Sequence, residues 1–154
     1  LNKIYEKCSE PKETNRQIGP MFKKWICSGV LGIKPVGLDE FISNNNNAVL
    51  NASDSEMKLW CAKNLNYTRD KGMDFVARFN GKYIIGEAKF LTDFGGHQNA
   101  QFDDAVSTLE TRNVNAIKIA IINGSNKMHT QLIEKSKKYD IMSALVLREY
   151  LYSL

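Results

Sequence analysis

The 154-residue sequence predicts an α/β (α+β) fold: one mixed β-sheet with a β-hairpin that carries the site, flanked by helices on both faces. Three observations predict it. A hairpin signal is centred on Asn80-Gly81, segments with helical apolar spacing lie on either side of it, and apolar runs alternate with helical patterns after it. With 43% hydrophobic residues the chain can bury one sizeable core. A single domain over residues 1–154 is expected, with a helical, basic region at 1–50 and the core at 53–146.

Each element has its own signal. Ile18, Met21, Phe22, Trp25 and Ile26 fall at i, i+3, i+4, i+7 and i+8, which predicts a helix with Pro20 in its first turn, Gly29 near its stop and Trp25 in the core. A short helix is expected at Leu38 to Ile42, then an exposed loop through Asn44 to Asn47. Ser53 followed three residues later by Glu56 reads as a capping box that opens a helix over 53–65. Phe75, Ala77 and Phe79 alternate with Val76 and Arg78, and Asn80-Gly81 joins that strand to a second at Lys82 to Phe90. A two-residue turn pairs Phe79 with Lys82 and brings Asp74 opposite Glu87. A loop from Leu91 ends at Gly95-Gly96, and a helix from His97 to Glu110 buries Phe102, Ala105, Val106 and Leu109. A buried strand at 116–123, a turn at Gly124-Ser125, a helix at 127–138, a strand at 141–146 and a closing helix with Tyr150 and Tyr152 packed on the core complete the pattern.

The hairpin register carries the chemistry. Directly opposed residues have Cβ atoms about 4.5–5.5 Å apart, so two carboxylates at 74 and 87 repel unless a cation lies between them. Lys89 projects from the same side of its strand as Glu87. Few carboxylates with open positions suit Mg²⁺, which takes waters and phosphate oxygens as its remaining ligands. Asp74, Glu87 and Lys89 therefore outline a phosphodiester-cleaving site. The alternative is a surface hairpin with Glu and Lys facing water, against which stand the opposed Asp74, the apolar neighbours Ile84 and Ile85, and Gly86 beside the Glu.

"MD" at 73–74 followed by "EAK" at 87–89 resembles the PD-(D/E)xK nuclease superfamily, and "GEAKFLTDFGGHQNAQFDDA" is most similar to its type II restriction endonucleases. The resemblance implies a restriction-endonuclease-like αβββαβ core. It assigns Asp74 and Glu87 to Mg²⁺, with Mn²⁺ as a substitute, gives Lys89 the attacking water, and adds the main-chain carbonyl of Ala88 to the coordination. Met73 stands where the family has Pro. Glu56 has two readings, the cap or an acid that reaches the metal site from the helix ahead of the Asp strand. DNA contacts are expected from Thr92, His97, Gln98, Asn99 and Gln101 around the start of the following helix, and from the basic Lys23 and Lys24. Cutting both strands implies a homodimer on a palindromic duplex, or sequential nicking by a monomer. The alternatives are a junction resolvase or repair nuclease on the same core, or a non-catalytic DNA-binding module.

Charge placement agrees with a polyanionic partner. The net charge is +4, and residues 1–34 alone hold Lys3, Lys7, Lys12, Arg16, Lys23, Lys24 and Lys34 against Glu6, Glu10 and Glu13. Residues 127–154 add a net +2, which leaves the middle of the chain acidic where a metal site would need acids. Cys8, Cys27 and Cys61 lie far apart without metal-ligand spacing, so reduced thiols are expected. No run of about 18 apolar residues and no secretory apolar segment is present, which predicts a soluble, intracellular protein, and the resemblance to restriction endonucleases implies the cytoplasm of a prokaryotic cell. The chain starts at Leu1 rather than Met, consistent with residues removed at the front.

Overall fold

The computed structural model describes residues 11–91, 97–124 and 134–154, with the side chains of 11–18 and 97–99 outside that description. Five strands form one mixed sheet in the order β1-β2-β3-β4-β5: β1 (Ala48–Val49), β2 (Phe75–Phe79), β3 (Lys82–Leu91), β4 (Ile117–Gly124) and β5 (Asp140–Met142). The β1–β2 and β2–β3 pairs are antiparallel, while β3–β4 and β4–β5 are parallel. Phe79 pairs with Lys82 and Phe75 with Gly86, the register expected from a two-residue turn. Asn80 and Gly81 both have positive φ, at 49° and 76°, as a turn that follows the strand twist requires.

Helices cover both faces. On one, α1 (Pro11–Cys27) and α5 (Leu147–Ser153) place Phe22, Ile26, Leu147 and Leu151 over Phe75, Ala77, Phe79, Ile84, Ala88, Ile119 and Ile121. On the other, Phe41 of α2 (Leu38–Ser43) and Met57, Cys61 and Leu65 of α3 (Asp54–Leu65) pack on Val76 and Ile85. Next to them, Phe102, Ala105, Val106 and Leu109 of α4 (His97–Leu109) close on Leu91, Ala120 and Ile122. Every residue of β2 is buried, because it lies between two neighbours and under helices on both sides.

Two close fits hold this sandwich in register. A Cβ on Gly86 would lie 2.8 Å from Ile119 Cγ1 and 3.2 Å from the Ile119 carbonyl, so only glycine lets β4 approach β3 here. Arg78, 2% exposed, donates to the carbonyls of Phe41 at 2.8 Å and Asn46 at 2.9 Å, with its guanidinium 4.7 Å from the Phe41 ring centre. It thereby pins the end of α2 and the asparagine loop to the sheet.

Three sequence expectations need correction, and one strand went unsignalled. Helix α1 is already helical from Pro11, so Pro20 is interior rather than in the first turn and removes one main-chain hydrogen bond from the helix. Met21, expected on the apolar face, is 64% exposed, and Trp25 packs against the core only partly buried. The strand β1 carries no sequence signal because two residues cannot show alternation. The expected strand at 141–146 ends at Met142: Asn123 Oδ1 takes the Ala144 N–H at 3.1 Å in place of a ladder carbonyl, and Ala144–Val146 turns into a 3₁₀ segment. Ser125 and most of the helix expected at 127–138 lie outside the described residues, of which 134–136 are helical.

Candidate functional site

The site forms where β2 begins beside the far half of β3. The hairpin register carries Asp74 past the Phe75–Gly86 pair to the level of Glu87, and the Asp74 N–H donates to the Gly86 carbonyl at 3.1 Å. Asp74 Oδ2 accepts the Ala88 N–H at 2.9 Å, which fixes the carboxylate against β3. On its other side Gly19 of α1 passes closely enough that a Cβ there would lie 3.6 Å from Asp74 Oδ1. Burial pushes the Asp74 carboxyl above the usual carboxylate range, a rise to which the Asp54 charge contributes and which the Ala88 bond and Lys89 oppose.

Glu87 is 1% exposed on the α4 side of the sheet. Its Oε2 lies 3.0 Å from Lys71 Nζ and 3.3 Å from Lys89 Nζ. Burial raises its carboxyl too, with Lys89 and Lys71 opposing the shift and Asp74 adding to it. Its second oxygen, Oε1, is buried and has no protein partner, and the only other such atom among the described side chains is the hydroxyl of Tyr67. The Glu87 charge is in turn felt at the Tyr67 phenol, which burial raises first. A buried carboxylate oxygen without a donor is costly unless something positive or a donor comes to it.

Lys89 Nζ also sits 3.2 Å from Asp104 Oδ2. Burial alone would favour its neutral form, but Glu87, Asp104 and Asp74 together outweigh that and hold the amine more basic than usual. Lys89 is therefore an ammonium with three donors, available to orient an oxygen nucleophile or bind a phosphate oxygen.

The structure thus brings Asp74, Ala88, Glu87 and Lys89 together and leaves other candidates apart. Glu56 Oε2 accepts the Ser53 N–H at 2.8 Å and the Ser53 hydroxyl at 2.6 Å, a capping arrangement at the start of α3. Asp54, in the same first turn, is the acid of that helix whose charge reaches Asp74. Lys23 Nζ donates to the Ala52 carbonyl at 2.5 Å and is half-buried, whereas Lys24 is exposed in the last turn of α1. His97, Gln98 and Asn99 form the first turn of α4 and Gln101 follows in its next turn, half-buried; Thr92 lies outside the described residues.

Three residues at the site have no motif to announce them. Lys71 lies in the loop before Asp74, Asp104 is in the middle of α4, and Asp54 is next to the N-cap of α3. Among the described residues no three His, Cys, Asp or Glu side chains converge as a metal-holding group. Asp74 and Glu87 leave two carboxylates beside each other, and few oxygen ligands with open positions suit a cation that keeps several waters.

A family model described as Tsp45I type II restriction enzyme matches residues 1–154. The chain belongs to this family. No curated protein and no solved structure matches it. Membership of the Tsp45I family makes the chain a type II restriction enzyme, a site-specific nuclease that binds DNA. A mixed five-stranded sheet between helices is compatible with a restriction-endonuclease-like fold, and none of the described helices is long and apolar enough to cross a membrane.

Proposed function

We propose that this restriction enzyme hydrolyses both strands of duplex DNA within a short sequence, dependent on Mg²⁺ with Mn²⁺ as a substitute, at a PD-(D/E)xK-type site formed by Asp74, Glu87 and Lys89. The observation that carries the reading is the convergence of two buried carboxylates, one with an unpartnered oxygen, beside a lysine ammonium. Asp74 and Glu87 would hold the ion, with the main-chain carbonyl of Ala88. The N–H of Ala88 faces Asp74, and a strand residue presents its N–H and C=O on the same edge, so this carbonyl emerges where β2 has ended. Glu56 is assigned to capping.

Bound there, Mg²⁺ supplies charge neutralisation at the phosphate and lowers the pKa of water. The protein's own groups do the rest. Asp74, locked by the Ala88 N–H, fixes the site relative to β3. Lys89, charged and held beside Glu87, orients the water for in-line attack and stabilises charge developing on the phosphate. The first turns of α4, with His97, Gln98, Asn99 and Gln101, together with Thr92 and Lys24, are assigned to DNA; Lys23 is assigned only a supporting role because its ammonium is engaged by Ala52.

The described residues hold one such centre, so a concerted double-strand cut calls for a homodimer whose two-fold axis matches a palindromic target, the alternative being sequential nicking by a monomer. Sedimentation with and without target duplex tests this: a species that stays monomeric in both conditions rules out concerted cutting. The activity itself is tested by digesting plasmid and genomic DNA with and without Mg²⁺, comparing the protein with Lys89→Ala. Discrete Mg²⁺-dependent fragments that disappear in the variant are expected. DNA left intact under every divalent cation, or cleaved equally by Lys89→Ala, sinks the assignment.

A further inference from the structure

We propose that Asp104 is a positioning residue for Lys89, a role that rests on the endonuclease reading of the site. Lysine carries its charge on a flexible four-carbon stem, so a catalytic ammonium needs something rigid to fix it. Glu87 cannot be the whole of that support, since its carboxylate is also the candidate metal ligand. Asp104 supplies the second hold. Its Oδ2 contacts Lys89 Nζ at 3.2 Å and Lys71 Nζ more closely still, while Glu87 Oε2 contacts the same two ammoniums. The four groups form a closed ring in which charge alternates: Glu87, Lys89, Asp104, Lys71.

The support for Asp104 is itself firm. Its neighbours Phe102, Ala105 and Val106 are buried against the sheet, so α4 presents the carboxylate from a packed helix rather than from a loop. Arg69 approaches Asp104 Oδ1 at 3.9 Å and is fixed by the hydroxyl of fully buried Thr108 at 2.6 Å. Asp104 therefore meets three cations, two from the loop before β2 and one from β3, and Lys71 and Lys89 hold its carboxyl ionised although partial burial opposes this. A solvated surface acid needs no such arrangement. The ring also directs both ammoniums at Glu87 Oε2 and leaves Oε1 free.

The test is single-turnover cleavage of a target duplex by the wild type, Asp104→Asn, Asp104→Glu, Lys89→Ala and the double variant Lys89→Ala with Asp104→Asn. Asp104→Asn is expected to slow the chemical step about 10- to 100-fold, the usual cost of losing a group that orients a catalytic ligand, with half-saturating DNA unchanged. Asp104→Glu should recover part of the rate. In the Lys89→Ala background Asp104→Asn should cost nothing more, because both changes remove one unit. The metal-free protein gives an independent readout: the ¹⁵Nζ signal of Lys89, sharp when the ammonium is held, should broaden in Asp104→Asn. A wild-type rate in Asp104→Asn, or an equal loss with and without Lys89, overturns the role of Asp104 alone. Full activity in Lys89→Ala overturns the endonuclease reading on which it rests. Asp104→Ser, at a side chain 37% exposed, replaces Asp104→Asn should that variant not fold.

Discussion

Glu56 separates two roles that one acidic residue can play. Its carboxylate is closed on Ser53, so its worth is that of a helix cap, while Asp54 supplies the charge felt at Asp74. Glu56→Ala is expected to lower the urea midpoint of unfolding by opening the capping box, with the cleavage rate per folded molecule unchanged. A rate that falls tenfold or more would return Glu56 to the metal site. The Ser53–Glu56 spacing was legible because both partners lie within four residues of each other. Lys71 and Asp104 were not, since they meet across 33 positions of sequence and nothing local marks either. Cys61 makes a second prediction at this scale. It is fully buried, and burial pushes its thiol from 9.0 to about 12, whereas Cys27 is exposed. Alkylation of the native protein at pH 8 should label Cys27 and spare Cys61 until denaturant is added, as peptide mapping will show. The sign follows for stability too: the unfolded thiol ionises first, so this group's contribution is complete below pH 9.0 and is lost as pH rises towards 12. A melting temperature that does not fall over that window more in the wild type than in Cys61→Ala would contradict it.

The hairpin was the most legible element because its turn, alternation and register are all written within sixteen consecutive residues. The capped helix α3 and the buried face of α4 were legible for the same reason. The start of α1 was missed although Pro11 stands at its first position, and the end of β5 has no local signal, since the Ala144 N–H just beyond it goes to the Asn123 side chain of β4. Gly86 links the two levels. It stood out as a glycine next to Glu87, but its reason, the approach of Ile119, appears only when β4 is placed. Gly86→Ala must displace Ile119 Cγ1 or the strand itself, and overpacking of this kind costs about 1–3 kcal/mol. Because Glu87 follows directly, the rate should fall as well as the stability, and a variant as stable and active as wild type would mean that β3 and β4 are further apart than 2.8 Å contact implies. Arg78→Lys is the matching test on the other side of β2. One ammonium cannot reproduce a planar fork that serves two carbonyls and stacks on Phe41, so a loss of about 1.5–3 kcal/mol in denaturant unfolding is expected.

Apolar side chains cover both faces of the sheet. Among the described residues the candidate site stands out, with two buried carboxylates whose charged forms burial disfavours and a carboxylate oxygen left without a partner. Disfavoured charges and an oxygen without a donor are the pattern expected where a site awaits a ligand. Asp74→Asn tests this. Asparagine keeps an oxygen for the Ala88 N–H but removes a desolvated charge close to Asp54 and Glu87. Without metal the variant should melt at the wild-type temperature or above it. Mg²⁺ should then raise the melting point of the wild type, since a ligand that binds only the folded state adds about 2.7 kcal/mol at a hundred times its Kd, and should leave the variant unmoved. If Asp74→Asn instead melts well below wild type in metal-free buffer, the carboxylate is holding the fold together and the strain does not lie at this site. If Mg²⁺ shifts both proteins equally, the ion binds elsewhere and Asp74 is not its ligand.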